Sequence, residues 1–323
     1  MRLLVTGGAG FIGSNLVHYV LAHTEVEQLV NLDCLTYAGS LENLAGVTAD
    51  RRYRFEHVDL RQREEVLGVF DRHRITHVMH LAAESHVDRS IAAPADFIHT
   101  NLVGTFHLLE AARAVGVERL LHVSTDEVYG SLDAHGAFTE TTPYAPRSPY
   151  SASKAGADML VRAYHHTYGV PVLVTNCSNN YGPRQHPEKL IPTVIRAALE
   201  GRPIPVYGDG QNVRDWLHVE DHCRALWRVL EKGAVGETYN IGAGNEWKNL
   251  DLVEHIADDV DRELGRPLGT SRRLVSFVPD RLGHDRRYAI DATKLRATLG
   301  WSPEVEFLAG LSATVGWYAG RRG

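Results

Sequence analysis

The sequence contains few cysteines. Among its 323 residues there are three, Cys34, Cys177 and Cys223, and no two of them form a C-x-x-C pair. An odd and sparse set of this kind does not build a disulfide framework. We therefore expect three free thiols in a protein of a reducing compartment.

The sequence also lacks an excess of positive charge. Its 34 basic residues are outnumbered by 40 acidic ones, which gives a net charge of −6, and both signs are spread along the chain. Tight binding to the phosphate backbone of a nucleic acid needs a positively charged protein surface. We therefore expect no nucleic acid among the partners.

Long apolar runs are missing as well. None approaches the roughly 20 residues that a membrane-spanning helix needs. Residues 1–6 reach Gly7 too soon to provide the apolar core of a secretory signal. We therefore expect a cytoplasmic protein that does not associate with membranes.

What the first half does contain is a regular alternation of short apolar runs and longer segments with helical spacing. The runs predict strands at 3–6, 28–32, 54–57, 77–81, 119–124 and 172–176. The longer segments predict helices at 13–23, 63–73, 97–115 and 153–168. This alternation is typical of an α/β fold of Rossmann type, a doubly wound parallel sheet that binds ligands at the carboxyl ends of its strands.

After residue 176 the alternation gives way to clusters of Gly, Pro and Asn separated by short helical stretches. We interpret residues 1–176 as a dinucleotide-binding domain and residues 177–323 as a smaller, loop-rich substrate domain. The pattern leaves open that some later segments return to the first domain. With no long linker between them, the two should pack directly and form a substrate cleft.

A glycine-rich loop follows the first predicted strand and opens the first predicted helix. Gly7, Gly10 and Gly13 are spaced three apart, with Phe11 and Ile12 between the last two. A tight turn, a close approach to pyrophosphate and close packing of helix on strand each need such a glycine, and the helix N-terminus then faces the phosphates. The loop predicts a dinucleotide site.

An acidic residue, Asp33, ends the second predicted strand, about 20 residues beyond the loop, where a carboxylate can accept hydrogen bonds from the adenosine ribose. No arginine follows it, since the next residues are Cys34, Leu35 and Thr36. Asp33 would repel a 2′-phosphate, so we expect NAD rather than NADP. Positions after the third and fourth strands complete the expected cofactor wall: Asp59, Leu60, Ala82, Ala83 and Glu84.

Tyr150 and Lys154 lie four residues apart at the start of a predicted helix, and therefore on one face of it. A neighbouring ammonium favours the phenolate and should lower the tyrosine pKa from about 10 toward neutrality. The phenolate could then take a proton from a sugar hydroxyl. Lys154 could also hold the nicotinamide ribose.

The loop at 6–13 and the Tyr150/Lys154 pair resemble those of the extended short-chain dehydrogenase/reductase family. The segment at 124–130, STDEVYG, is similar to its dTDP-glucose 4,6-dehydratase branch. The same branch is matched by three further segments, at 81–91, 177–192 and 280–288, so the resemblance covers nearly the whole chain.

This resemblance implies an NAD-dependent lyase that converts dTDP-glucose to a 4-keto-6-deoxy sugar. Tyr150 would take the C4 hydroxyl proton during transient oxidation, with Thr125 bound to the C4 oxygen. Glu127 would remove the C5 proton, Asp126 would protonate the departing C6 hydroxyl, and the hydride would return to C6. Two neighbouring carboxyls suit this division because their mutual repulsion separates their titrations.

By the same resemblance, further residues are expected at the ligands, and the protein is expected to be a homodimer. The cofactor-side residues are Thr100 and Asn180. The substrate-side residues are Ser85, Asn179, Lys189, Leu190, Pro205, Tyr207, Arg214, Asn249, Arg281 and His284. The Lys and Arg residues suit a diphosphate, and Tyr207 offers an aromatic face to a pyrimidine. No histidine spacing matches a metal site, so no metal is expected.

Two other functions use part of the same pattern. A nucleotide-sugar 4-epimerase would use Tyr150, Lys154 and NAD but return the hydride to C4. A non-catalytic sensor would bind the dinucleotide and report its redox state to a partner, with no need for Asp126 and Glu127.

Overall fold

The computed structural model describes residues 1–321. Its strands are β1 (Arg2–Thr6), β2 (Gln28–Asp33), β3 (Tyr53–His57), β4 (His77–His80), β5 (Arg119–Thr125), β6 (Val172–Cys177), β7 (Asn179–Tyr181), β8 (Ile204–Tyr207), β9 (Val213–His218), β10 (Thr238–Ile241), β11 (Glu246–Lys248) and β12 (Val275–Val278). Seven of them form one parallel sheet in the order β10-β6-β5-β4-β1-β2-β3.

The helices alternate with these strands. They are α1 (Phe11–His23), α2 (Arg63–His73), α3 (Val87–Ala92), α4 (Pro94–Phe97), α5 (Thr105–Val115), α6 (Pro149–Tyr168), α7 (Leu190–Glu200), α8 (Val219–Lys232), α9 (Asn249–Glu263), α10 (Thr293–Leu299) and α11 (Phe307–Ala319).

Both faces of the large sheet are covered by helices. Because side chains alternate along a strand, Leu3 and Val5 of β1 join a core with α1 and α8, whereas Leu4 joins the opposite core with α2, α5 and α6. This arrangement confirms the predicted doubly wound α/β fold, and all six predicted strands lie in the sheet.

The residues after Cys177 contribute to both parts of the molecule. The strands β7, β9 and β11 form a small separate sheet, and α7, α9 and α11 share an apolar core of their own with Trp216. However, β10 pairs in parallel with β6, and Leu226 of α8 belongs to the core of the large sheet. The chain therefore returns to the first sheet after residue 177.

The predicted helix at 97–115 is interrupted, so that prediction is wrong in part. Ile98–Gly104 is π-helical, and α5 begins only at Thr105. The side chain of Asn101 accepts from the Glu84 N–H (2.8 Å) and donates to the Glu84 carbonyl (3.0 Å) and to Ser153 Oγ (2.9 Å). Such insertions often mark functional sites. Here the wider turn fixes the loop after β4.

Among residues 1–321, no helix combines the length and the apolar character needed to cross a bilayer.

Candidate active site

A cavity of about 940 Å³ lies where the carboxyl ends of β1, β2 and β4 to β6 face the segments after Cys177. All the residues predicted for catalysis, cofactor and substrate line it, with the exception of Leu35. The parallel sheet brings them together because all its strands end at this edge.

The glycine loop forms the floor at one end of the cavity. Gly7 has φ +72°, and a Cβ there would lie 2.8 Å from the backbone of Ala82. A Cβ at Gly13 would overlap the carbonyl of Gly7, so the first turn of α1 packs directly on the loop. Gly10 caps α1 without a side-chain hydrogen bond, and a Cβ there would contact only the Gly7 oxygen, at 3.4 Å. The helix N-terminus is thus open toward the cavity.

Asp33 lies beside this loop. Its two carboxylate oxygens accept from the N–H groups of Ala9 (2.9 Å) and Leu35 (2.8 Å). Burial raises the pKa of Asp33, and the two backbone donors act in the opposite direction. Leu35 has φ +52°, and its side chain packs against the core. Its contribution is therefore the N–H that holds Asp33, rather than a contact in the cavity wall.

The acidic pair follows β5 directly. Thr125 ends the strand, and Asp126–Tyr129 forms a 3-10 turn. The Thr125 hydroxyl accepts from the Glu127 N–H (3.3 Å) and donates to Asp126 Oδ1 (3.4 Å). Asp126 is 2% exposed, and its Oδ2 has no hydrogen-bond partner. One oxygen of a buried carboxyl is therefore left for a ligand.

The surroundings separate the two carboxyls electrostatically. Burial, followed by the charges of Glu127 and Asp215, raises the pKa of Asp126 well above its usual range. Burial also raises the pKa of Glu127, but Lys189, Arg214 and Arg281 oppose this. The sequence argument relied on repulsion within the pair, whereas burial is the larger cause. Asp126 therefore holds its proton more firmly than Glu127 does.

Tyr150 and Lys154 lie on the first turns of α6. Ser148 caps this helix with a capping box, and Pro149 begins it. Lys154 Nζ donates to the Val123 carbonyl (2.9 Å) and is nearly enclosed. The helix start thus holds both functional groups at the end of β5.

The predicted lowering of the Tyr150 pKa is not found. Burial raises this pKa well above 10, the charges of Glu127 and Cys177 add to the rise, and the hydrogen bond with Thr125 acts in the opposite direction. A phenolate at this position therefore needs further positive charge beside the ring.

Cationic side chains collect at the other end of the cavity. Lys189 Nζ donates to the Ser85 carbonyl (2.9 Å). Arg214 Nη2 donates to the Asp285 carbonyl (3.0 Å), and its guanidinium lies 4.3 Å from the centre of the Tyr288 ring. These bonds orient the two cations with their positive charge beside Glu127.

Arg281 is held from the opposite side of the cavity. Its guanidinium lies 2.6 Å from a carboxylate oxygen of Asp88 on α3 and 5.4 Å from the ring centre of Tyr207. His284 Nδ1 lies 2.7 Å from Asp280. This end therefore combines guanidinium groups with an exposed aromatic face, which suits a nucleoside diphosphate.

Two amide side chains at the same end have unmatched acceptors. Asn179 Oδ1 and Asn249 Oδ1 are buried without a hydrogen-bond partner among the described residues. Buried acceptors normally have a donor. Both residues line the cavity, so both oxygens can accept from the ribose or sugar hydroxyls of a ligand.

Several wall residues were not predicted from the sequence. Arg61 forms an ion pair with Asp59 (2.6 Å) beside the adenosine end. Asp88, Asp285 and Tyr288 face the substrate end. These last three lie in the segments 81–91 and 280–288 that carried the family resemblance, so a residue-by-residue reading of those segments was the available signal.

The histidines near the site have protein partners. His80, the last residue of β4, lies between the hydroxyls of Thr6 (2.7 Å) and Thr105 (2.9 Å). Within residues 1–321 no three His, Cys, Asp or Glu side chains are grouped as metal ligands would be.

Comparison with known proteins gives consistent matches over the whole chain. The family described as GDP-mannose 4,6 dehydratase matches residues 4–314. The dTDP-glucose 4,6-dehydratase of Neisseria gonorrhoeae is 57% identical, over 98% of this chain and 95% of that protein.

Solved structures agree with these matches. The dTDP-glucose 4,6-dehydratase of Streptomyces venezuelae, solved with NAD bound, has a TM-score of 0.95 and 49% identity, over 100% of this chain and 98% of that one. A UDP-glucose 4-epimerase of Thermus thermophilus, also solved with NAD, has a TM-score of 0.87 and 34% identity, over 99% of this chain and 100% of that one. The fold is thus common to both activities, and the sequence is closer to the dehydratases.

Proposed function

The chain belongs to the GDP-mannose 4,6-dehydratase family, and from this premise we propose how its residues convert dTDP-glucose to dTDP-4-keto-6-deoxyglucose and water. It is an NAD-dependent hydro-lyase. One observation carries the assignment of residues: a buried Asp126 with an unpartnered oxygen and a less enclosed Glu127 share one cavity with Tyr150 and Lys154.

The residues of the cofactor end fit NAD. The close packing at Gly7 and Gly13, together with the uncapped start of α1, leaves backbone N–H groups available for a pyrophosphate. Asp33 is held in position by two backbone donors and can accept from ribose hydroxyls. Held by these residues, NAD would supply reversible hydride transfer, from C4 of the sugar and back to C6, and would be unchanged after each turnover.

Tyr150 acts first, by accepting the proton of the C4 hydroxyl while Thr125 holds the same oxygen. Lys154 supplies positive charge on the same face of α6, and the oxidised nicotinamide would add the further charge that a phenolate needs here. Because both side chains are buried, little water screens these charges. The ketone formed at C4 makes the C5 proton acidic.

Glu127 then removes the C5 proton, and Asp126 donates its own proton to the C6 hydroxyl, which leaves as water. The pKa directions suit these roles, since the acid is the group whose proton is held more firmly. Glu127 later returns a proton to C5. At the end of the cycle Tyr150 carries the proton of the C4 hydroxyl and Asp126 lacks the one that left in water. Release of the first to solvent and uptake of a proton from solvent by Asp126 restore both groups.

An epimerase requires no acid or base at C5 and C6, because it leaves the C6 hydroxyl in place. The Asp126/Glu127 pair in the cavity therefore supports dehydration. Of the proteins compared, the dehydratases are also more similar to this chain than the epimerase is.

The enzyme is inferred to work in the cytoplasm as a homodimer. Its three cysteines are free thiols, as expected in a reducing compartment. Large apolar side chains are exposed on the adjacent helices α5 and α6 and on the π-helical turn before them: Ile98, Phe106, Met159 and Tyr168. Pairing these helices with those of a second copy would cover that surface.

The test of function is turnover of dTDP-glucose in heavy water, with the product examined by proton NMR. A C6 methyl group and deuterium at C5 are expected, because Glu127 exchanges its proton with solvent before returning it. A dTDP-linked galactose with an intact C6 hydroxyl as the sole product would contradict the proposal.

A further inference from the structure

A buried carboxylate outside the cavity connects the two halves of the catalytic apparatus. Asp158 lies one turn beyond Lys154 on α6 and is fully buried. Its oxygens accept from Ser124 Oγ (2.8 Å) and from the Tyr144 hydroxyl (2.9 Å), and lie 3.0 Å from His122 Nε2. Asp158 is absent from the cavity wall, so it cannot touch substrate or cofactor directly.

The bonds of Asp158 reach the acidic pair as well as the helix. Ser124 precedes Thr125 on β5, so the bond from Ser124 to Asp158 ties the end of this strand to α6. A second path runs through Tyr144 and Asn176: Asn176 Nδ2 donates to the Thr125 carbonyl (3.1 Å) and lies 3.4 Å from the Tyr144 hydroxyl. The network thus joins the segment of Thr125 and Asp126 to the helix of Tyr150 and Lys154.

The partners of Asp158 stabilise its negative charge without a direct cation. Burial lowers the pKa of His122, and Lys154 lowers it further, so His122 is a neutral donor to Asp158. Arg162 makes no ion pair with Asp158, and its Nη2 donates instead to the Tyr144 hydroxyl (2.9 Å), the group that donates to Asp158. Burial acts to raise the pKa of Asp158, but His122, Lys154 and Ser124 together lower it below its usual value, so the carboxylate is ionised.

Lys154 has no carboxylate within ion-pair distance among residues 1–321, and its Nζ donates to a carbonyl oxygen. The groups around it come from every element packed on it. His80 faces it from β4, His122 from β5, Cys177 from β6, and Tyr150 and Asp158 from α6. Burial lowers the pKa of Lys154, and the charge of Asp158, followed by that of Cys177, acts in the opposite direction.

We propose that Asp158 is a positioning residue for the dehydratase: its buried carboxylate fixes the end of β5 against α6 and provides the counter-charge that keeps Lys154 in its ammonium form beside Tyr150. The inference rests on the proposed function, because it requires Lys154 to act as the cation beside the phenol.

The experiment compares Asp158→Asn with Tyr144→Phe in the holoenzyme, by measuring kcat and KM for dTDP-glucose from pH 6 to 10. Asn keeps an acceptor for His122 and loses the charge, whereas Phe removes one hydrogen bond to the same carboxylate and leaves the charge. For Asp158→Asn we expect kcat to fall at least tenfold at pH 8. The alkaline limb of the kcat–pH profile, where kcat decreases as Lys154 loses its proton, should move about one pH unit lower, a shift typical of the loss of a neighbouring charge. KM should change less than threefold, since Asp158 does not line the cavity.

Tyr144→Phe should leave the alkaline limb in place whatever its effect on stability. Should Asp158→Asn not fold, Asp158→Glu and Asp158→Gln form a second matched pair, of which only Gln should shift the limb. The proposal would be overturned if the alkaline limb stayed in place in Asp158→Asn and Asp158→Gln. It would also be overturned if neither of these variants folded while Asp158→Glu did. Failure of the wild-type protein to form the 4-keto-6-deoxy product would instead contradict the proposed function.

Discussion

At the scale of single residues, the site depends on one carboxyl that keeps its proton and one that can lose it. Asp126 and Glu127 are neighbours in the chain, yet their surroundings differ. Asp126 lies nearly enclosed beside Asp215, while Glu127 faces the cations Lys189 and Arg214. In the proposed mechanism, environment rather than residue type assigns the roles of acid and base.

Replacing Glu127 by Gln removes the proposed base with little change of shape. We expect kcat to fall by about 10²- to 10⁴-fold, the usual contribution of a general base, with unchanged binding of NAD measured by calorimetry. Glu200→Gln on the exposed end of α7 is the matched control and should keep full activity. Retention of more than a tenth of kcat by the Glu127 variant would contradict its role.

Asp215 should make the fold less stable as the pH rises. Burial raises the pKa of Asp215 to about 6, so the native state binds this proton more tightly than the unfolded state does. The contribution of Asp215 to the free energy of unfolding is therefore fully present below pH 4 and is lost as the pH rises from about 4 to 6.

Asp215→Asn should remove that loss. Its amide oxygen can still accept from the Asn245 N–H, as Asp215 does at 2.7 Å. At pH 7 we expect the free energy of unfolding in urea to rise by about 2 to 3 kcal/mol over wild type, with little difference near pH 4. A less stable variant at pH 7 would show that the charge itself stabilises the fold.

Residue chemistry was predictable from the sequence only in part. The motif around Asp126 and the Tyr150/Lys154 spacing predicted which side chains meet in the cavity. The direction of the Tyr150 pKa was wrong, because spacing along a helix reveals proximity to Lys154 but not the burial that outweighs it. Burial is set by residues distant in sequence, such as Phe97, whose ring packs on Tyr150.

At the scale of elements, the strands were predictable because buried parallel strands are continuous apolar runs. The interruption of the helix at 97–115 was not. The side chain of Asn101 in its π-helical turn exchanges hydrogen bonds with the Glu84 backbone, in the loop after β4, and donates to Ser153 on α6. The apolar periodicity of residues 97–115 predicts an α-helix and contains no information about such contacts.

The packing of α1 on the glycine loop gives a prediction at this scale. Gly13→Ala places a methyl group against the Gly7 carbonyl, so the loop or the helix must move. We expect NAD to bind at least tenfold more weakly and the fold to lose about 1 to 3 kcal/mol. Calorimetry and thermal unfolding measure the two effects.

Gly68→Ala is the control for this change. Gly68 lies within α2, where an added Cβ would meet only the end of the Arg72 side chain, at 3.7 Å. This variant should bind NAD normally and be equally or slightly more stable, since Ala favours a helix. Equal NAD affinities in the two variants would show that close packing at Gly13 is not required.

At the scale of the whole molecule, the cavity is bounded by side chains that contact one another across segments far apart in sequence. Arg281 meets Asp88, and Arg214 meets Tyr288, on walls that the sequence could not pair. Family resemblance named some of these residues as ligand contacts. It did not reveal that they also bind one another, because such pairs depend on how the segments after Cys177 fold back on the sheet.

The proposed homodimer is tested by sedimentation. Wild type should sediment at twice the mass of the chain, and Met159→Glu should sediment as a monomer because it places a charge in the exposed apolar surface of α6. Leu268→Glu changes an exposed leucine elsewhere and should remain dimeric. A monomeric wild type would contradict the proposal.

The division of labour between the two acids is tested most directly by exchange at C5. Asp126→Asn and Glu127→Gln are each incubated with NAD and dTDP-glucose in heavy water, and the recovered dTDP-glucose is examined by mass spectrometry and NMR. With Asp126→Asn, Glu127 can still remove the C5 proton although water cannot leave efficiently, so deuterium should enter C5 of recovered substrate. With Glu127→Gln it should not. Exchange at equal rates in both variants would contradict the assignment of Glu127 as the base.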